Sequence, residues 1–137
     1  KDYMMRGELI PDFLVTSLVT SNFISNLTPD KTIFMDGYPR TVAQSEVFES
    51  MMKFFNRENI KLIYIELSKD EAVKRNSLRG REDDTEDSFN KRYEEHLNNE
   101  LPAMQYFENK SGYEVFKING EKSIEEVHQD IINLLKL

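Results

Sequence analysis

Asp36, Arg40 and Gln44 recur at four-residue intervals in the stretch Met35-Asp36-Gly37-Tyr38-Pro39-Arg40-Thr41-Val42-Ala43-Gln44. They offer an acid, a planar cation, and an amide that both donates and accepts. The β-branched and apolar run Thr32 to Met35 reads as a buried strand, so the group would project where a strand ends, the edge at which α/β proteins hold ligands. There Asp36 could hold a magnesium-bound water, although Asp before Gly is also ordinary turn chemistry. Arg40 could grip a phosphate bidentately, which a planar fork does better than lysine's point charge; its plainer reading is a surface salt bridge. Gln44 could match the amino-and-ring-nitrogen edge of adenine, or serve a capping box with Thr41.

A second constellation comprises Arg75, Arg79, Arg81 and Arg92, with Asp83 and Asp84 between the last two. Arg75 and Arg79 fall four apart on a predicted helix, where like charges repel by a few tenths of a kcal/mol, about the size of any i,i+4 pair. Such a pairing wants an anion. Arg81 follows just past Gly80, and Arg92 lies about two turns into the next helix, so all four could converge on one polyphosphate. Asp83 and Asp84 would orient the arginines in its absence. The alternative is a solvated charge cluster, as charge runs usually are.

The elements that must position these groups are legible in the apolar periodicity. After a helix end stopped by Gly7, Pro11 begins a helix with Val15, Leu18, Val19, Phe23 and Leu27 on one face. Thr41 opens another with Ala43, Val47, Met51 and Phe54 inward. Leu62 to Leu67 reads as a strand, Ser68 with Glu71 caps a helix to about Leu78, and Thr85 starts one carrying Phe89, Tyr93 and Leu97, bent or restarted at Pro102. Tyr113 to Ile118 is a third strand, Asn119-Gly120 a turn, and Ser123 with Glu126 caps a final helix. Strands separated by helices predict an α/β fold whose parallel sheet is covered by helices.

The chain has 137 residues, 39% of them hydrophobic and 31% charged, which suits one domain with a real core. A formal charge of −7 opposes a phosphate backbone and argues against a nucleic-acid partner. No apolar run approaches bilayer length and no basic-then-apolar leader stands at the start, so no membrane partner is expected and the cytoplasm is the expected compartment. Without cysteine, and with only His96 and His128, neither a disulfide framework nor a thiolate zinc site can form.

Three motifs together resemble the adenylate kinases: Asp36 to Gln44; Arg75-x-x-x-Arg79, Arg81-x-Asp83-Asp84 and Arg92; and Gly7 to Asp12, which is similar to that family's Gly-x-Leu-Val segment. The resemblance covers essentially the whole chain and implies a P-loop NTPase-like sheet and phosphoryl transfer from ATP to AMP, with Mg²⁺. It implies that Glu8, Leu9, Ile10, Gly37, Arg40, Gln44, Arg81 and Arg92 bind AMP. Arg75, Arg79 and the backbone near Lys122 would bind ATP, Arg81 also holding its phosphates. Asp36 would position magnesium through water, and Arg40, Arg79, Arg81, Arg92 and Asp36 would be the catalytic set. Gln44 would favour AMP over pyrimidine monophosphates, since related UMP/CMP kinases tend to place an asparagine one residue earlier.

One domain over 1–137 is expected, with 1–30 in the monophosphate-binding region. A lid of some thirty residues in long adenylate kinases is here cut to a turn at 79–82. The family's Gly-x-x-x-x-Gly-Lys-Ser/Thr loop is absent, and its first strand would lie between Thr32–Met35 and Leu62–Leu67. The chain is therefore expected to be the larger, C-terminal portion of a monomeric enzyme, inactive alone and completed by an N-terminal segment. The rival is a non-catalytic descendant that keeps the arginines as a nucleotide sensor or a protein-interaction surface.

Overall fold

The chain order in the structure, a computed structural model describing residues 10–81 and 84–136, is α1 (Asp12–Asn26), α2 (Val42–Phe54), β1 (Ile60–Glu66), α3 (Lys69–Arg79), α4 (Glu86–Glu95), a π-turn (His96–Glu100), α5 (Leu101–Gln105), β2 (Tyr113–Asn119) and α6 (Ile124–Leu135). Side chains set most of the helix starts. Thr41, Ser68, Thr85 and Ser123 each accept a hydrogen bond from the amide three residues on, satisfying a donor that the first helical turn leaves unpaired. At Ser123 the return bond from its own amide to Glu126 completes the capping box. Pro11 precedes α1 with its fixed φ, and Gly80 ends α3 in the left-handed conformation.

β1 and β2 pair in parallel from Ile60 opposite Tyr113 to Glu66 opposite Asn119, with α3, α4 and α5 making the crossover. Gly120 follows directly. Its amide donates to the Glu66 carbonyl at 2.8 Å, and a Cβ there would stand 2.6 Å from Ile65 and 2.8 Å from that carbonyl, so only glycine lets the two chains close. Phe107 is fully buried, with the rings of Phe48 and Tyr113 at 6.1 and 4.7 Å, and the core continues through Met51, Met52 and Phe23.

Three sequence expectations are corrected. Thr32–Met35 forms no strand: among the described residues nothing lies beside it to complete a ladder, and the sheet has two strands rather than three. On α2 the inward face is Gln44, Ser45, Phe48, Met51 and Met52, while Ala43, Val47 and Phe54 face out. These two polar residues can face inward because they find partners there: Ser45 Oγ lies 3.4 Å from the Ala103 carbonyl besides its 3.0 Å bond to Thr41 O, and Gln44 Nε2 donates to Asp12. On α1, Phe23 is buried and Val19 and Leu27 pack beside it, but Leu18 is exposed.

Candidate functional site

A cleft of about 850 Å³ opens between Lys31–Arg40 on one wall and β1 on the other, with Phe107 and Met104 on its floor. Asp36, Gly37, Arg40, Tyr64 and Glu100 all line it. Gly37 has φ +72°, and its carbonyl accepts from Arg40 Nε at 2.7 Å. A Cβ at this position would sit 2.6 Å from Arg40 Nη2, so the glycine makes room for the guanidinium folded over it. The Tyr38–Pro39 peptide bond is cis. Arg40 Nη1 pairs with Glu100 Oε1 at 3.4 Å, which leaves most of the fork's five N–H donors for an anion.

Behind this wall Gln44, only 3% exposed, uses both ends of its amide. Oε1 accepts from the Arg40 backbone amide, and Nε2 donates to Asp12 Oδ1, both at 2.8 Å. Asp12 Oδ2 accepts from Thr41 Oγ1, also at 2.8 Å. Thr41 thus caps α2, but Gln44 reaches one residue beyond the cap and holds the Arg40 backbone rather than closing a capping box.

On the other side of Arg40 a chain of polar contacts crosses from β1 to the π-turn. Tyr64 Oη lies 2.9 Å from His96 Nε2, with the two rings stacked, and His96 Nδ1 lies 3.1 Å from Glu100 Oε2. Burial first, and then the Glu66 and Glu100 carboxylates, push the Tyr64 hydroxyl above its ordinary pKa, which keeps it a proton donor.

The second constellation gathers on Asp84. Arg79 donates to both its oxygens, through Nε at 2.9 Å and through Nη2; the Arg81 backbone amide reaches Oδ2 at 3.0 Å, and Arg92 Nη2 reaches Oδ1 at 3.1 Å. Hydrogen bonds from Arg79 above all hold the Asp84 carboxyl well below the usual carboxylate range. Asn76 Oδ1 accepts from Arg92 at 2.9 Å. Asp84 is an internal anion standing where two guanidinium groups converge, as a phosphate would.

Arg75 is not part of that cluster. Its Nε donates to Glu71 Oε1 at 2.8 Å, and its Nη2 approaches the Lys122 carbonyl at 3.4 Å. Arg75 and the Lys122 backbone are therefore neighbours, while the Lys122 ammonium turns away to Asp130 at 2.6 Å. Glu8, Leu9 and Asp83 lie outside the described residues, and Ile10 is exposed where those residues begin.

Sequence reasoning did not single out Asp12, Asn76, His96 and Glu100 as site residues. His96 and Glu100 stand at the i,i+4 spacing that brings helical side chains together, and this signal was present in the sequence. Asp12 and Asn76 gave none, because their partners lie 32 and 16 residues away.

For a divalent cation, Asp36 is a single exposed carboxylate at the cleft, and no group of three or more His, Cys, Asp or Glu gathers among the described residues. One carboxylate fits magnesium bound mostly by water and substrate phosphates, and does not fit a protein-made cage. Among the described residues no helix is long and apolar enough to cross a membrane.

Comparison with known proteins gives this geometry a context. Residues 1–112 match the family model for adenylate kinase. The chain is similar to the adenylate kinase of Prochlorococcus marinus strain MIT 9301, with 31% identity over 96% of the chain and 69% of that protein. Similarity to the adenylate kinase of Thermosipho melanesiensis is 28% over 99% of the chain and 77% of that protein, and to that of Geobacillus sp. strain WCH70 it is 30% over 98% and 76%.

Proposed function

Because the chain belongs to the adenylate kinase family, we propose that Arg40 is its acceptor-phosphate residue and that the arginines gathered on Asp84 serve the phosphates of both nucleotides. The chain is a nucleoside monophosphate kinase, and the family reaction moves the terminal phosphoryl group of ATP to AMP and back. That transfer passes through a charge-rich transition state, which asks for placed cations more than for covalent help.

The observation that carries this reading is the guanidinium of Arg40, laid over Gly37 by a 2.7 Å bond and facing the cleft that Asp36 shares. Arg92 and Glu100, the partner of Arg40, stand eight residues apart on consecutive helical segments, roughly 12 Å along the axis at 1.5 Å per residue. A run of phosphates can bridge such a span. Arg79, Arg81 and Arg92 would exchange Asp84 for phosphate oxygens, with Arg92 and Arg81 sharing the AMP phosphate with Arg40 as the family resemblance implies. Arg75 and the Lys122 backbone, side by side, would flank the ATP base.

Gln44 would read adenine by giving up its bond to Asp12, keeping its hold on the Arg40 amide or trading that as well. Glu8, Leu9, Ile10 and Gly37 would complete the AMP contacts through backbone. Adenylate kinases use ATP with a divalent metal, here Mg²⁺; Asp36 would hold it through water, and the ion would supply positive charge at the phosphates. The turn at 79–82 would stand in for the lid.

Calorimetric titration of AMP into the chain and into its Arg40→Ala variant tests the acceptor assignment. The expected loss is about 10- to 100-fold, the value of a hydrogen bond to a charged group. Unchanged AMP affinity in the variant overturns it.

A further inference from the structure

Glu100 divides its carboxylate between two partners that have no common structural need. Oε1 faces Arg40 at 3.4 Å across the cleft, and Oε2 faces His96, whose other nitrogen meets Tyr64 on β1. Both Arg40 and Glu100 are partly exposed, so their pairing contributes little to stability. Nor does Arg40 depend on it for orientation, since the Gly37 carbonyl already fixes Nε at 2.7 Å. What Glu100 adds at this point of the cleft is charge, held in place by His96 and Tyr64.

We propose that Glu100 is a counter-charge that shares Arg40 with the acceptor phosphate, loosening the grip on the monophosphate so that the nucleotide can leave. Glu100 does not itself touch the nucleotide; it acts through Arg40. This rests on the acceptor reading of Arg40 given above. A phosphate dianion arriving at Arg40 meets a guanidinium already half neutralised and a carboxylate of its own sign nearby. When the nucleotide departs, Glu100 takes the cation back, and the site never holds an unpaired arginine.

Calorimetry on the 137-residue chain, with AMP and with adenosine as probes, reads this directly. Glu100→Gln and Glu100→Ala should both bind AMP about fivefold more tightly at low salt, the size of one screened ion pair. The gain should shrink as ionic strength rises towards 1 M, where the Debye length is about 3 Å. Adenosine, which carries no phosphate, should bind wild type and variants alike; a structural effect of the substitutions would move both ligands. Unchanged or weaker AMP binding in both variants, with Arg40→Ala still costing AMP affinity, overturns the role of Glu100 alone. If Arg40→Ala costs nothing, or the wild-type chain binds no AMP, the acceptor reading falls and this one with it.

Discussion

Arg40 owes its position to neighbours that leave it little freedom. Gly37 yields space, its carbonyl takes Nε, Gln44 takes the backbone amide and Asp12 anchors Gln44. Gly37→Ala therefore carries two penalties: a φ of +72° that L side chains rarely adopt, and a methyl group where Nη2 now lies. It should weaken AMP binding as Arg40→Ala does while also lowering the melting temperature, whereas Arg40→Ala should leave the melting temperature nearly unchanged; calorimetry beside thermal unfolding separates the two. Gln44→Ala empties a buried position and takes the donors from Asp12 Oδ1 and the acceptor from the Arg40 amide, so it should cost about 1–3 kcal/mol of stability in denaturant titration, whatever its effect on AMP. The sequence indicated the residue types and spacing of Asp36, Arg40 and Gln44. It gave no sign that the amide of Gln44 is occupied at both ends, because Asp12 is brought there by α1 packing on α2.

At the scale of elements, legibility followed locality. The helix starts at Thr41, Ser68, Thr85 and Ser123 were readable because what opens a helix, such as a cap's donor and acceptor three residues apart, is local in sequence. The π-turn His96–Glu100 was not, since its wider hydrogen-bond register has no residue signature, yet it helps set Glu100 towards Arg40. Thr32–Met35 has strand composition but needs a neighbour to be a strand, and composition alone cannot supply one. The inward turn of α2 escaped an apolar pattern because its first buried residues are polar. Joining that helix to the segment before β2, Glu49 accepts from Tyr106 Oη at 2.6 Å and pairs with Lys110 and Lys53. Lys110 above all, then Lys53 and Tyr106, hold the Glu49 carboxyl down at about 2 from an ordinary 4.5. A carboxylate depressed on folding stabilises above its unfolded pKa and loses that contribution as pH falls through the folded value. Melting temperature should therefore drop as pH falls from about 4.5 towards about 2, and Lys110→Met should flatten that dependence. Where β1 and β2 end, Gly120→Ala should destabilise by about 1–3 kcal/mol, as overpacking does, detectable as a lower denaturant midpoint with unchanged slope.

Across the whole molecule the charge is −7, yet Arg40 at the cleft and the pair Arg79 and Arg92 about the turn after α3 each face a carboxylate of the chain itself. In the proposed reading, Glu100 at Arg40 and Asp84 at Arg79 and Arg92 mark the two places where this acidic chain would take up an outside anion. Three ordered motifs made the family visible from sequence, and an aspartate among the arginines that follow α3 was visible there too; that Glu100 waits at Arg40 became visible only once residues 60 positions apart were brought together. Two adenosines joined through a chain of phosphates would span both places at once. Its calorimetric titration tests the two-centre account most directly: Arg40→Ala and Arg79→Ala should each weaken binding by at least about tenfold, the value of one charge-assisted hydrogen bond to phosphate. Full affinity retained in either variant would contradict it.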